Sequence, residues 1–511
     1  MKHGLFSKIL AVTVALMLVC VPLFNAFGAA DSVKQECPYI YIHGFMGTDL
    51  YENPDDPDSD VIWPPKTDAI LDAVKVALPA LGKLLIDKNW DAFSEKVMPY
   101  AYAIFEPVML APDGTVKDKS GARMIYPEPE EVTKDSRLSF RYDWRIDPIE
   151  VAAQLNDFID FVLENSGCDQ VMIECHSFGG IVTNTYATLY GNSKIKSVVY
   201  NTTAIYGEGY TGEMLSGNIV LNGESLTEYL KMVMDRNEYR HLINGIFKLL
   251  YDAGLTDAIC NLGNTIIDNL AADASTEVLA PMFGGWLSIW AMVEDDAVDD
   301  AMSYVFDNLY ADSEIDHSGL LEKINDYNTR VRPYKTETLE QMNEAANLYV
   351  ISRYGYSGLL LVDSWKTVTD GTVDSKNSSF GATIAPYGET LSEDYLAKAD
   401  AKYISPDKTV DTSTCMFPDQ TWMIRRFEHS DGCATADDLI MKLLCYDGQA
   451  TIDTFPEYPQ FMYYDLDSDS IMPDTLADKQ GDDGFFARLK LIFGDILKMI
   501  KNLFLKVLGK R

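Results

Sequence analysis

Five short runs of apolar, β-branched and aromatic residues recur along the chain: Tyr39-Ile40-Tyr41-Ile42, Arg137 to Tyr142, Gln170 to Glu174, Ile195 to Tyr200 and Leu348 to Arg353. Each is of strand length, and the runs at 39–42, 170–174, 195–200 and 348–353 are more continuously apolar than Arg137 to Tyr142, which alternates. Between them the period changes to that of a helix. Residues 67–97 place Leu71, Val74, Leu78, Leu81 and Leu85 on one side. Residues 148–164 place Val151, Ala152, Leu155, Phe158, Ile159 and Val162 together, opened by Asp147 as cap, Pro148 and Glu150, and closed by Gly167. Ile181, Val182, Thr185, Tyr186, Leu189 and Tyr190 form a third stripe, stopped by Gly191-Asn192. Strands alternating with helices predict an α/β fold whose mostly parallel sheet is flanked by helices.

Roughly 145 residues separate the fourth and fifth strands, where a crossover needs only about a dozen. The excess is helical in pattern, so residues 207–345 are expected to form a large cap inserted into a core of residues 31–206 and 346–470. Within it Phe283, Trp286 and Trp290 are candidates either for an acyl pocket or for packing the cap on the sheet. Lys2 and Lys8, the apolar stretch Ile9–Phe24 and Gly28-Ala29-Ala30 mark residues 1–30 as a removable signal, hence an exported protein. No later stretch is long and apolar enough to span a bilayer. Asp465-Leu466-Asp467-Ser468-Asp469 begins like a calcium loop but has Ser470 and Leu476 where glycine and glutamate are required. Residues 471–484 read as a polar linker. Residues 485–511 gather Phe485, Leu489, Ile492, Phe493, Ile496, Ile500, Leu503, Phe504 and Val507 opposite Arg488, Lys490, Lys498, Lys501 and Lys506. Such a cationic amphipathic helix suits a membrane surface, or docking on the acidic body or a partner.

Charge narrows the partners. The chain carries a net −36, although residues 485–511 hold seven basic side chains against Asp495 alone. So acidic a body repels phosphate backbones, which excludes nucleic acid. Seven cysteines follow the signal segment, with no zinc-like spacing. Cys415 and Cys433 are the first pair to consider for a bridge.

The third strand runs through Cys175-His176-Ser177-Phe178-Gly179-Gly180 into a helix. A serine on a strand-to-helix turn with small residues two places to either side is a nucleophile elbow, here with Cys175 in place of the usual first glycine. The first strand ends in His43-Gly44-Phe45-Met46-Gly47. That loop nominates the amides of Phe45 and Phe178 as an oxyanion hole, with His43 itself a buried prop. A serine so placed needs a base and a third group behind it. In the order nucleophile, acid, histidine, only His429, after the apolar run Trp422-Met423-Ile424, lies late enough among His43, His176, His241, His317 and His429. His176 adjoins the serine too closely to turn toward it. Thr369-Asp370-Gly371-Thr372-Val373 is the turn for the acid, with Asp363 and Asp374 as nearby alternatives. This chemistry requires no metal and no organic cofactor.

His43-Gly44 with Gly47, Tyr142-Asp143-Trp144-Arg145 before a helix, His176-Ser177 with Gly179-Gly180, Asp370-Gly371-Thr372-Val373 and the late His429 together resemble the lecithin:cholesterol acyltransferase and lysosomal phospholipase branch of the α/β-hydrolases. The resemblance spans about residues 37–435, and Cys175 departs from it. It implies an α/β-hydrolase fold and a lipase or acyltransferase acting on lipid esters, with Ser177, Asp370 and His429 as triad. A peptidase or amidase with the same triad, and a non-catalytic surface-binding protein on the same fold, are the competing expectations.

Overall fold

The protein is described by a computed structural model covering residues 34–234, 236, 237, 239–274, 282–311, 313–475, 495 and 498. The expected signal segment lies outside these residues, as does all of the expected terminal helix except Asp495 and Lys498.

Eight strands form the main sheet: β1 (Tyr39–Ile42), β2 (Arg137–Phe140), β3 (Val171–His176), β4 (Ile195–Asn201), β5 (Asn347–Tyr354), β6 (Thr421–Arg425), β7 (Phe461–Asp465) and β8 (Ser470–Pro473). Their spatial order is β8-β7-β6-β5-β4-β3-β1-β2. Every neighbouring pair is parallel except β7 with β8. All residues of β3 are buried, as expected for a strand covered on both sides. Successive strand residues feed two separate cores. Ile40, Ile173, Val198 and Val350 join one, with Val151, Leu155, Ile181 and Val182. Tyr39, Met172, Val199 and Ile351 join the other, with Leu439, Ile440 and Leu443. Two-residue alternation thus places helices on both faces.

The helix α3 (Pro148–Ser166) is capped by the Asp147 side chain, which accepts the Ile149 N–H, and ends at Gly167 in the left-handed region. Ahead of it, the stretch expected as one helix is two, α1 (Thr67–Asp87) and α2 (Trp90–Phe105). Lys88 turns left-handed at φ 54° and Asn89 accepts the Ala92 N–H, so a new helix starts just past the stripe. Within the stripe Leu71 is exposed while Leu81 is buried.

After α4 (Gly179–Tyr190) and β4, the insertion holds α5 (Gly209–Leu215), α6 (Gly223–Val233), α7 (Arg240–Asp252), α8 (Leu255–Ala274), α9 (Leu287–Ala291), α10 (Ser318–Arg330) and α11 (Lys335–Ala345). The last of these packs on α4 and β5, so it belongs to the layer covering the sheet. On the opposite face lies α12 (Ala434–Leu444), against β3, β4 and β8. Beyond the five expected strands the main sheet gains β6, which holds the apolar run Trp422–Ile424, and the pair β7 and β8. The Asp465–Asp469 ladder lies at the turn joining β7 to β8, and Ser470 to Pro473 extends the sheet where a linker was expected. Asp474 then pairs with the buried Arg425 at 2.7 Å, so the packed core runs past residue 470. Cys415 and Cys433 are free thiols in different core clusters. No helix among the described residues is long and apolar enough to cross a membrane.

Candidate active site

Ser177 stands between β3 and α4 at φ 57°, a conformation that a non-glycine residue holds only when its surroundings force it. Its N–H donates to the Asn201 carbonyl at 3.2 Å, and its own carbonyl accepts from Gly180 and Ala204. The turn is crowded from three sides. A Cβ on Gly179 would lie 2.4 Å from the Ile42 carbonyl oxygen, one on Gly180 2.4 Å from the Thr203 Cβ, and one on Gly44 2.7 Å from the Ser177 Cβ. Cys175 fits where glycine is usual: it is fully buried, and its Sγ lies 3.5 Å from the Val199 carbonyl. Burial pushes that thiol up and keeps it neutral.

The loop after β1 is braced by the Tyr142–Arg145 segment. Tyr142 donates its hydroxyl to the His43 carbonyl at 2.5 Å, and the Trp144 indole donates to Thr48 at 3.0 Å, so the loop is tied near both ends. Arg145 and Asp143 form a buried ion pair at 2.6 Å that also reaches Val108 and Ser120. The Phe45 ring lies edge-on to Trp144 at 4.9 Å and 6.5 Å from that of Phe178. Among the described residues, neither the Phe45 nor the Phe178 N–H donates to any acceptor. His43 reaches Ser139 Oγ through Nε2 at 2.5 Å, and burial drops its pKa to about 4.

Of the three candidate acids, Asp370 meets the histidine. His429 Nδ1 lies 2.7 Å from its Oδ2, and the His429 N–H donates to the Asp370 carbonyl at 2.9 Å. Asp370 is 0% exposed. Its Oδ2 also accepts the Thr202 hydroxyl, while Oδ1 accepts the N–H groups of Thr372 and Val373 at 3.0 and 2.7 Å. Burial works to raise its pKa, but the charge and hydrogen bond of His429, then Thr202 and Val373, hold it below the usual carboxylate value. The His176 ring sits 4.6 Å from that of His429, and its Nε2 donates to the His429 carbonyl at 3.0 Å. Gly44 faces both Ser177 Oγ and His176 Nδ1, so serine, glycine loop and His176 meet at one spot, with His429 on the far side of the His176 contact. His429 is 8% and Ser177 6% exposed. The serine hydroxyl makes no hydrogen bond to His429 in this structure, a contact that commonly tightens only with substrate bound.

Part of the insertion covers the acid and base. Met232 in α6 lies against Gly371, and Arg236 pairs with Asp431. Trp286 and Trp290 are buried, their indoles donating to Val108 and Gly284, and Trp286 packs on Trp144 at 5.1 Å. Phe283 is half-buried beside Trp286 at 5.6 Å. Trp286 thus packs the insertion onto the core, while Trp290 is bonded within the insertion.

Asp374 accepts the Gly209 N–H at 3.1 Å and lines a cleft of about 430 Å³ with Glu213, Glu294, Asp296 and Asp300. Burial, then the charges of Glu294 and Asp370, raise its pKa to about 7 against the pull of the Gly209 N–H. The unfolded carboxyl releases its proton near its ordinary value of 3.8. Between those two values the folded state holds more protons than the unfolded one, so stability falls as pH rises. Asp374→Asn is therefore expected to raise Tm at pH 8 and to leave it nearly unchanged at pH 4. Equal shifts at both pH values, measured by thermal unfolding, would contradict the assignment.

No family model matches the sequence, and neither does any curated protein. Among solved structures, "The crystal structure of Tle4-Tli4 complex" aligns with 35% of this chain at 17% identity and a TM-score of 0.19. The alignment covers 48% of that chain, so this protein spans about half its length. A likeness at that score bears on neither fold nor function.

Proposed function

We propose that the protein is a serine hydrolase or acyltransferase of the α/β-hydrolase kind, acting on lipid esters. The observation that carries this is the short Asp370–His429 bond, with the His429 ring packed on His176, the residue before a serine in the left-handed region. His429, with Nδ1–H fixed on Asp370, has Nε2 free to take the Ser177 proton as the hydroxyl attacks an ester carbonyl. The Phe45 and Phe178 N–H groups stabilise the negative oxygen that develops. His429 returns its proton to the leaving alcohol, and the acyl-enzyme passes its acyl group to water or to another alcohol. The lipid-ester preference and the acyltransferase-like branch rest on the sequence motifs. A fluorophosphonate is expected to label Ser177 stoichiometrically and to leave Ser177→Ala unlabelled. A wild-type protein that resists the reagent would favour the non-catalytic alternative, and cleavage of peptide amides but not esters would favour the peptidase.

We also propose that the protein acts outside the cytoplasm, at a lipid surface reached through residues 485–511. Removing them is expected to lower binding to anionic vesicles while hydrolysis of a soluble short-chain ester continues. Unchanged vesicle binding would instead assign the segment to docking on the body. One contact supports docking: Asp495 accepts the Leu242 N–H at 2.9 Å, in the first turn of α7.

A further inference from the structure

Arg353, near the end of β5, takes no part in the steps above, yet its guanidinium is buried at 4% exposure. Among the described residues no carboxylate pairs with it. A buried cation with no carboxylate in direct contact is strongly destabilising unless its donors are met, and here the more distant charges of Asp370 and Asp431 act on it. Oxygens meet its two terminal nitrogens, while Nε has no partner among the described residues. One guanidinium nitrogen donates to the carbonyls of Glu428, His429 and Asp431 at 2.6, 2.9 and 2.9 Å. The other donates to Asn201 Oδ1 at 3.3 Å, and the cation lies 4.1 Å over the Phe427 ring.

Those three carbonyls belong to the loop that carries the base. The peptide unit joining Glu428 to His429 is held at both ends, its oxygen by Arg353 and its N–H by the Asp370 carbonyl. The next unit is held through the His429 oxygen, which accepts from both Arg353 and His176. The backbone on either side of His429 is thus fixed, and Asp370 fixes the ring. The link continues toward the serine. The Asn201 amide bonds Arg353 and Glu174, and the Asn201 carbonyl accepts the Ser177 N–H. Glu174 in turn accepts the Tyr39 hydroxyl at 2.6 Å. A polar chain therefore runs across four strands, from β1 to β5, under the elbow and into the loop of the base.

We propose that Arg353 is a positioning residue for His429: by gathering three loop carbonyls on one nitrogen, it fixes the backbone from which the imidazole is presented to Ser177. The proposal rests on the Ser177–His429–Asp370 assignment. An apolar side chain here would leave the Asp431 carbonyl without a donor and the Glu428 and His429 oxygens with one donor each, the Asp431 N–H and His176, so the loop would be free to turn and carry the imidazole away. A lysine supplies three donors from a single nitrogen and would keep the carbonyls gathered while losing the bond to Asn201.

The test compares full-length wild type, Arg353→Met, Arg353→Gln and Arg353→Lys. Rates are measured on a soluble short-chain ester and normalised to the fraction titrated by a fluorophosphonate. The low-field proton resonance of the His429 Nδ1–H, absent in His429→Ala, is followed in parallel. Arg353→Met and Arg353→Gln are each expected to lose about 100-fold in kcat, with KM within about threefold of wild type. The low-field resonance should weaken or vanish in both, and Arg353→Lys should recover at least about tenfold of the rate. Wild-type kcat in the glutamine variant, or equal losses in glutamine and lysine variants, would overturn the role. If wild type itself takes no label, the functional assignment fails. The resonance then decides on the positioning alone: loss in Arg353→Gln upholds it and persistence overturns it.

Discussion

Asparagine in place of Asp370 is expected to lower kcat by about four orders of magnitude while KM stays close to its original value. The carboxylate accepts four hydrogen bonds from the described residues. His429 Nδ1 and the Thr202 hydroxyl share one oxygen, and two backbone N–H groups share the other. An amide has a single acceptor oxygen. If that oxygen keeps the Thr372 and Val373 N–H groups, the amide NH2 faces His429 Nδ1 as a donor. The imidazole must then accept at Nδ1 and carry its proton on Nε2, which is the wrong tautomer for taking one from serine. Steady-state rates on a soluble ester decide the matter. A loss of less than about tenfold would show that Asp370 does not set the tautomer.

The second large effect concerns packing. Gly179→Ala is expected to destabilise the protein by about 3 kcal/mol and to abolish labelling of Ser177 in whatever still folds. An added methyl would sit 2.4 Å from the Ile42 oxygen and 2.7 Å from that of His43, both backbone atoms that no rotamer change can move. Relief requires driving the start of α4 away from the end of β1, and the end of β1 carries the loop with the Phe45 amide. Gly82→Ala supplies the contrast. Nothing lies within 4 Å of a Cβ there, in the middle of α1, so the change should stabilise by about 0.5–1 kcal/mol. Chemical unfolding of both variants tests the pair, and a Gly179→Ala protein as stable as wild type would refute the close approach.

Sequence pattern reached the layered α/β architecture because its central strands are buried on both faces and their helices carry unbroken stripes and caps. It also reached the elbow, since small residues at 175 and 179 are a steric demand visible in the chain. Among the acids it favoured Asp370, with Asp363 and Asp374 as nearby alternatives. Choosing between them depends on where a loop folds 59 residues away from its partner, as it does between Asp370 and His429. The β7–β8 hairpin escaped because its turn is a run of aspartates that looks like a solvated linker. Arg353 escaped for a different reason. A lone arginine closing an apolar run reads as the point where a strand meets water, and nothing local says that its side chain turns back to meet carbonyls 75 to 78 residues further along.

The sheet order has one more consequence. Strands from residues 39–201 occupy one side and strands from residues 347–473 the other, and the two sets meet only at the β4–β5 boundary. Ser177 belongs to the first set, Asp370 and His429 to the second, and Asn201–Arg353 and Thr202–Asp370 are stitches across the seam. The molecule is thus divided like a split reporter. Two separately made halves would each bring four neighbouring strands and an incomplete set of reactive groups, and turnover would begin only when they zip together.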